Sequence, residues 1–243
     1  MQVIPLSKTV GLIQWVDNTR SLQELVNFTL SKQEISQYDS ICKLYHEWIE
    51  DASSSKKYKM HERYKEATVK YNASKVINKM NEFIGKTEWN SLRKTLTVLC
   101  PSIESFITIR RNFITSYATM CIAHWILGIG DRHLQNILIV INSGRCLGID
   151  FGLAFDAGVD QRIPELMPFR LTPQILGLLK PFTEKDLLGT IMIHALRAVR
   201  NEQGPILSCM DVFVHEPLNW TEHINKALRE NEDVAGNVEL YAR

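Results

Sequence analysis

The sequence lacks a charge imbalance: 28 Lys and Arg stand against 27 Asp and Glu, a net charge of +1 over 243 residues. The chain as a whole therefore has no electrostatic pull toward nucleic acid or an anionic membrane. Its five cysteines, Cys42, Cys100, Cys121, Cys146 and Cys209, form no C-x-x-C pair and are odd in number. That argues against a disulfide framework or a zinc site and for a reducing compartment. The opening stretch from Met1 to Ser7 has no charged segment followed by an apolar core, so nothing in it reads as a secretory signal. No internal repeat is evident. The most apolar run, Phe113 to Ile129, is interrupted by Thr115, Ser116, Thr119 and His124 and has no basic flank after it, which makes it a buried core helix and not a membrane span. None of the twelve glycines falls in a G-x-G-x-x-G pattern.

What is present is an apolar content of 45%, enough to bury a sizeable core, and one large domain is the simplest organisation. Val3-Ile4-Pro5-Leu6 and Gly11 to Val16 are short apolar runs bounded by turn formers, predicting two strands joined by a polar turn. Ser21 to Leu30 reads as helix. From Asp51 to Asn90 the composition turns to Lys, Ser, Asn and Glu, with Lys56, Lys57, Lys59, Arg63 and Lys65 close together. Interspersed acids and the lack of an aromatic platform favour an exposed insertion over a nucleic-acid surface. Helical spacing resumes at Ser102 and stops at Gly128-Ile129-Gly130. Thr172-Pro173 and Thr183 with Asp186 are helix-start signals, so the second half is mostly helical and the fold class is α+β.

The chemistry concentrates in Gly130-Asp131-Arg132-His133-Leu134-Gln135-Asn136 and, shortly after, Asp150-Phe151-Gly152. The intervening Ile137 to Ile149 reads as a β-hairpin whose loop, Asn142-Ser143-Gly144, suits a type I turn with a left-handed glycine. If Ile141 faces Arg145, counting back sets Asn136 opposite Asp150, so that an amide and a carboxylate meet at the hairpin's open end. Magnesium takes such oxygen donors and keeps its other positions for water and substrate phosphates. Asp131 precedes Asn136 by five positions, the spacing with which a kinase catalytic loop orients the substrate hydroxyl and holds magnesium. The local order is D-R-H in place of the usual H-R-D. His133 thereby becomes a candidate for proton handling or for stabilising the transferring phosphate, against the plainer reading of a loop hydrogen bond.

With these motifs the chain resembles the phosphatidylinositol 3-kinase-related protein kinases. The matching text is Trp125 to Leu134, Gly148 to Gly152, Pro164 to Thr172, His194 to Ala198 and Met210 to Val214. The resemblance implies the large, C-terminal lobe of a protein-kinase-like fold, with residues 1–16 as the end of the small lobe and the hinge. The large lobe would run over 17–220, interrupted by the insertion at about 51–90, and 221–243 would be an incomplete C-terminal extension. It implies Asp131 and His133 as catalytic residues, Asn136 and Asp150 as metal ligands for Mg2+ or Mn2+, and ATP as cofactor. Ile13 to Val16 would be the adenine-binding hinge, with Trp15 as the stacking face and Leu138 and Ile149 as the floor of the purine pocket. It further implies a nuclear serine/threonine kinase with a preference for Gln after the phosphorylated residue, acting on protein substrates in end joining of DNA breaks. DNA ends and the Ku heterodimer would be its partners in a full-length protein, with no membrane.

Where the sequence departs from the family pattern is at its front, with no glycine-rich phosphate loop and no strand lysine before the hinge. Both position the nucleotide phosphates in kinases. The expectation is a truncated gene model or a piece of a larger kinase, inactive alone. Two other functions stay open. A phosphoinositide kinase would need basic residues to meet a clustered anionic headgroup, yet from Asp150 to Pro168 Arg162 is the one base, facing Asp156, Asp160 and Glu165. A non-catalytic binding module would explain the missing front but not the full set of catalytic side chains.

Overall fold

The structure is a computed structural model that describes residues 2–7, 10–52, 85–155 and 167–215, together with 62, 78, 81–82 and 158. Most of the expected insertion and all of 221–243 lie outside the described residues.

The chain opens with β1 (Val3–Pro5) and β2 (Gly11–Ile13), antiparallel with Val3 opposite Ile13. Three further strands follow, β3 (Thr19–Ser21), β4 (Ile137–Val140) and β5 (Cys146–Gly148), in the antiparallel order β3-β4-β5. The helices are α1 (Leu22–Asn27), α2 (Lys32–Ala52), α3 (Ser91–Leu99), α4 (Ile103–Ile126), α5 (Pro173–Leu179), α6 (Thr190–Asn201) and α7 (Gln203–His215). This is the mostly helical α+β arrangement the sequence predicts, and no helix among the described residues is long and apolar enough to cross a membrane.

Local chemistry accounts for the boundaries. Ser21, Ser102 and Thr172 each accept an amide of the first turn of α1, α4 and α5, at Glu24, Ser105 and Ile175, satisfying donors that the helix itself leaves open. Thr183 and Asp186 form a reciprocal cap, with the Thr183 amide 2.9 Å from Asp186 Oδ2, and a wider turn over Lys185–Gly189 leads into α6. At the other end of α4, Gly128 takes φ 55°, the left-handed geometry that stops a helix without a Cβ penalty.

The core forms around α4. Phe113 and Tyr117 stack at 5.4 Å and 9°, and both are buried with Leu22 and Leu25 of α1, Leu92 of α3, Ile137 and Ile139 of β4, and Ile175 and Leu178 of α5. Each such side chain contributes about 1.5–3 kcal/mol by leaving water, so this cluster is the main source of stability. Arg110 of α4 ends α5 from outside, donating to the carbonyls of Leu178 at 2.8 Å, of Lys180 at 2.8 Å and of Leu179. Gly177 lets α5 approach closely: a Cβ there would lie 2.1 Å from the Trp89 carbonyl oxygen.

The hairpin forms, but its register differs from the one expected. Ile137 lies opposite Gly148 and Leu138 opposite Leu147, and Val140 rather than Ile141 faces Arg145, whose carbonyl accepts the Val140 amide at 2.9 Å. The loop is four residues, not three. Tertiary contacts impose it. The Ile141 amide is taken by the Asn18 carbonyl at 2.9 Å ahead of β3, and Gly144, at φ 73°, presses against Ile109 of α4. Asn112 donates to the Ser143 carbonyl and Ser116 accepts the Cys146 amide, both at 2.8 Å. Asn136 therefore stands opposite Ile149, whose amide it accepts at 3.0 Å, and Asp150 falls one position beyond.

Candidate active site

The site is built where α4 ends and the hairpin opens. After Gly128 and Ile129 the chain makes a short 3-10 turn over Leu134–Asn136, capped by the His133 imidazole, whose Nδ1 accepts the Gln135 amide at 3.3 Å. That contact places the ring proton on Nε2, which lies 3.9 Å from Asp131 Oδ2. The buried Asn136 side chain donates from Nδ2 to the Asp131 carbonyl at 2.9 Å and to Asp131 Oδ2 at 3.4 Å. With its nitrogen so engaged, the amide presents its oxygen as the donor it can offer a cation.

Asp131 and Asp150 both adopt left-handed backbone, φ 58° and 56°, which costs a non-glycine residue on the order of 1–3 kcal/mol and concentrates at functional sites. At Asp150 this turn matters for direction. The ladder has ended at Gly148, so strand alternation no longer governs where the Asp150 carboxylate points. Its Oδ1 accepts the Gly152 amide at 3.3 Å.

Burial of the His133 ring pushes its pKa below the usual imidazole range, opposed by the Asp131 carboxylate; Arg170 and Arg132 push it further down and Asp150 opposes them. Both carboxylates and both guanidinium groups thus act on the ring, and the net depression favours its neutral form, which can accept a proton. Asp131, His133 and Asn136 are in direct mutual contact, and Asp150 reaches them through the field at His133 and through Arg132.

The donor set fits magnesium: an amide oxygen and a carboxylate are hard ligands, and a site supplying two of them leaves the remaining positions to phosphate and water. Among the described residues no group of three or more His, Cys, Asp or Glu is arranged around a common point.

The remaining expected residues stand apart from this cluster. Ile13 and Trp15 are 66% and 76% exposed, so the Trp15 ring has an open face. Val16 is half-buried and its carbonyl accepts the Thr19 hydroxyl at 3.0 Å. Leu138 and Ile149 are half-buried. Strand alternation puts Leu138 on the sheet face away from the buried Ile137 and Ile139, together with its partner Leu147. The sequence reading missed Leu147 because its face depends on the register.

It also missed Arg132 and His124. Arg132 is buried and donates from Nε to the Gly130 carbonyl at 2.7 Å, from Nη1 to the Ile149 carbonyl at 2.8 Å and from Nη2 to the Asp150 carbonyl. Its guanidinium carbon lies 5.6 Å from the Phe151 ring centroid, and the edge of His124 meets the same ring at 5.6 Å. Gly148 makes room for His124: a Cβ at Gly148 would lie 2.7 Å from the imidazole Cε1. Burial, with help from Arg132, lowers the His124 pKa to about 4.

A family model described as phosphatidylinositol 3- and 4-kinase matches residues 1–223. The chain is 36% identical over 234 residues to the DNA-dependent protein kinase catalytic subunit of Gallus gallus, covering 94% of this chain and 6% of that protein. It is 34% identical over 241 residues to the protein of the same name from Dictyostelium discoideum, with coverage of 94% and 6%. The serine/threonine-protein kinase TOR of Arabidopsis thaliana is 29% identical over 226 residues, 90% of this chain and 8% of that one. The chain thus spans less than a tenth of the length of these relatives. Among solved structures, the FAT and kinase domain of CtTel1 superposes with a TM-score of 0.66 at 23% identity, covering 94% of this chain and 16% of that one, which establishes a shared fold.

Proposed function

The chain belongs to the phosphatidylinositol 3- and 4-kinase family, and from that premise we propose that it is the large lobe of an ATP-dependent serine/threonine protein kinase of the DNA-dependent protein kinase type. Residues 1–16 are then the end of the small lobe with the hinge, and 17–220 the large lobe. The observation that carries the reading is the contact of Asn136 with Asp131 beside a neutral His133. It unites a residue that aims a substrate hydroxyl, a candidate proton acceptor and one metal ligand within a single turn.

In this reading Asp131 orients the incoming alcohol and His133 takes its proton or steadies the phosphoryl oxygens. Asn136 and Asp150 hold Mg2+ or Mn2+, and Ile13, Trp15, Val16, Leu138 and Ile149 receive the adenine, with Leu147 beside Leu138. A cation held by Asn136 and Asp150 would supply charge neutralisation for the phosphoryl group as it transfers. The substrates are proteins phosphorylated on Ser or Thr before Gln. The setting is nuclear end joining of DNA breaks, with DNA ends and the Ku heterodimer as partners of the full-length protein. Identities of 34–36% to proteins of that name support this branch of the family.

The test joins the chain to the small lobe of a related kinase and measures transfer from ATP to a Ser-Gln peptide. The expected result is phosphorylation that Asp150→Ala abolishes; equal activity in the Asp150→Ala protein removes the metal assignment. Transfer to phosphoinositide vesicles but not to peptide would establish the lipid-kinase alternative, which the single base in Asp150 to Pro168 disfavours. Inactivity toward both would favour a binding module.

A further inference from the structure

The buried guanidinium at the centre of the site joins the two segments that carry the reacting groups proposed above. Arg132 is 5% exposed, and a charge so placed is costly unless its donors are engaged. It donates to backbone carbonyls on both sides of a joint: Gly130 at the start of the catalytic loop, and Ile149 and Asp150, which lie seventeen and eighteen positions after Arg132 itself. The third carbonyl belongs to the residue held at φ 56°. Phe151, next in the chain, has the same guanidinium over its ring and His124 at its edge. Two further backbone bonds close the joint, Gly130 amide to Leu153 carbonyl at 2.6 Å and Phe155 amide to Leu127 carbonyl at 2.9 Å.

We propose that Arg132 is a positioning residue for the metal-binding carboxylate: by gripping the carbonyls of Ile149 and Asp150 from the catalytic loop, it holds Asp150 in its left-handed turn and so sets where the carboxylate points. The proposal rests on Asp150 being a metal ligand. The physical reason for arginine is its planar fork. Three carbonyls in fixed relative positions are met by one rigid group with separate Nε, Nη1 and Nη2 donors, whereas a lysine ammonium is a compact point donor and reaches fewer of them. Release of the grip frees a strained backbone to relax, and the carboxylate moves with it. Residues that orient a ligand in this indirect way are worth about 10–100-fold in metal affinity when replaced.

The experiment uses the full chain and Mn2+ alone, titrated by water-proton relaxation, with Asp150→Ala as the background for unspecific binding. Hydrogen exchange over 103–126, 127–136 and 148–155 is followed in parallel. For Arg132→Lys the expected result is a fall in Mn2+ affinity of about tenfold or more toward the Asp150→Ala background. Faster exchange at Gly130, Ile149 and Phe155 should accompany it while α4 stays protected. Arg132→Gln, which keeps one planar donor group, should fall between wild type and the background. Wild-type Mn2+ affinity in both variants overturns the positioning role and leaves the metal assignment standing. A wild-type chain that binds no more Mn2+ than Asp150→Ala overturns the metal assignment, and the role of Arg132 with it. Loss of α4 protection in both variants also overturns the proposal, because Arg132 would then serve the fold as a whole.

Discussion

One imidazole should make a separable contribution to the loss of stability in acid, and its size follows from where that imidazole lies. His124 is 8% exposed at the base of α4, against Gly148 and the edge of Phe151, and its pKa is lowered to about 4. In the unfolded chain the ring regains an ordinary value of about 6.5. The folded state thus binds the proton less readily than the unfolded state. Above about pH 6.5 neither form is charged and there is no penalty. As pH falls, the unfolded chain takes up the proton first, and stability is lost until about pH 4, where the folded form protonates as well. At about 1.4 kcal/mol per pH unit the full loss is about 3 kcal/mol, with about 2 kcal/mol of it reached by about pH 5. Urea unfolding followed by tryptophan fluorescence at several pH values, for wild type and His124→Gln, isolates the contribution. His133 is depressed in the same sense, and Glu34, Glu104 and Asp186 have lowered carboxyl pKa values, but these act equally in both proteins. The wild type should lose about 2 kcal/mol more than His124→Gln between about pH 7 and about pH 5. Parallel pH profiles would refute the burial of a neutral ring beneath Phe151.

Two glycines in helical backbone should respond oppositely to alanine. Both substitutions gain up to about 1 kcal/mol of helix propensity. At Gly177 the new Cβ meets the Trp89 carbonyl oxygen at 2.1 Å, and forced displacement of packed backbone costs about 1–3 kcal/mol or more, so Gly177→Ala should lower the urea midpoint. At Gly189 the nearest atom is the Glu184 carbonyl oxygen at 3.5 Å, so Gly189→Ala should raise it; a rise in both would show that Trp89 does not seat on α5 as described. In the kinase assay with a joined small lobe, His133→Ala should lower kcat by about a hundredfold or more if the ring handles a proton. An unchanged kcat would return His133 to its 3-10 cap.

Several elements were legible without coordinates because their causes are local. Ser102, Thr172 and the Thr183–Asp186 pair are capping signals within three residues of the amides they bind. The stop after Ile126 follows from a glycine taking a left-handed turn, and the pairing of Asp131 with Asn136 needs a single turn of chain. The hairpin's existence was readable from two apolar runs around Asn142-Ser143-Gly144, but its register was not. A free turn of that composition suits three residues, whereas here Asn18, Ile109, Asn112 and Ser116 pull on the loop from segments far away in sequence. Arg132 escaped notice for the same reason, since a guanidinium beside an acid in a loop reads as surface until its distant carbonyl partners are known.

By itself the sequence determined the helix starts and stops, the existence of the hairpin, and the close approach of Asp131 and Asn136. Each of these depends on residue type at short separation. Only the tertiary structure decided the register of β4 on β5, the left-handed turn at Asp150, the neutral state of His124 and the grip of Arg132. Those depend on which groups meet across the core, where excluded water makes a buried charge or an unpaired amide too costly to leave unmatched.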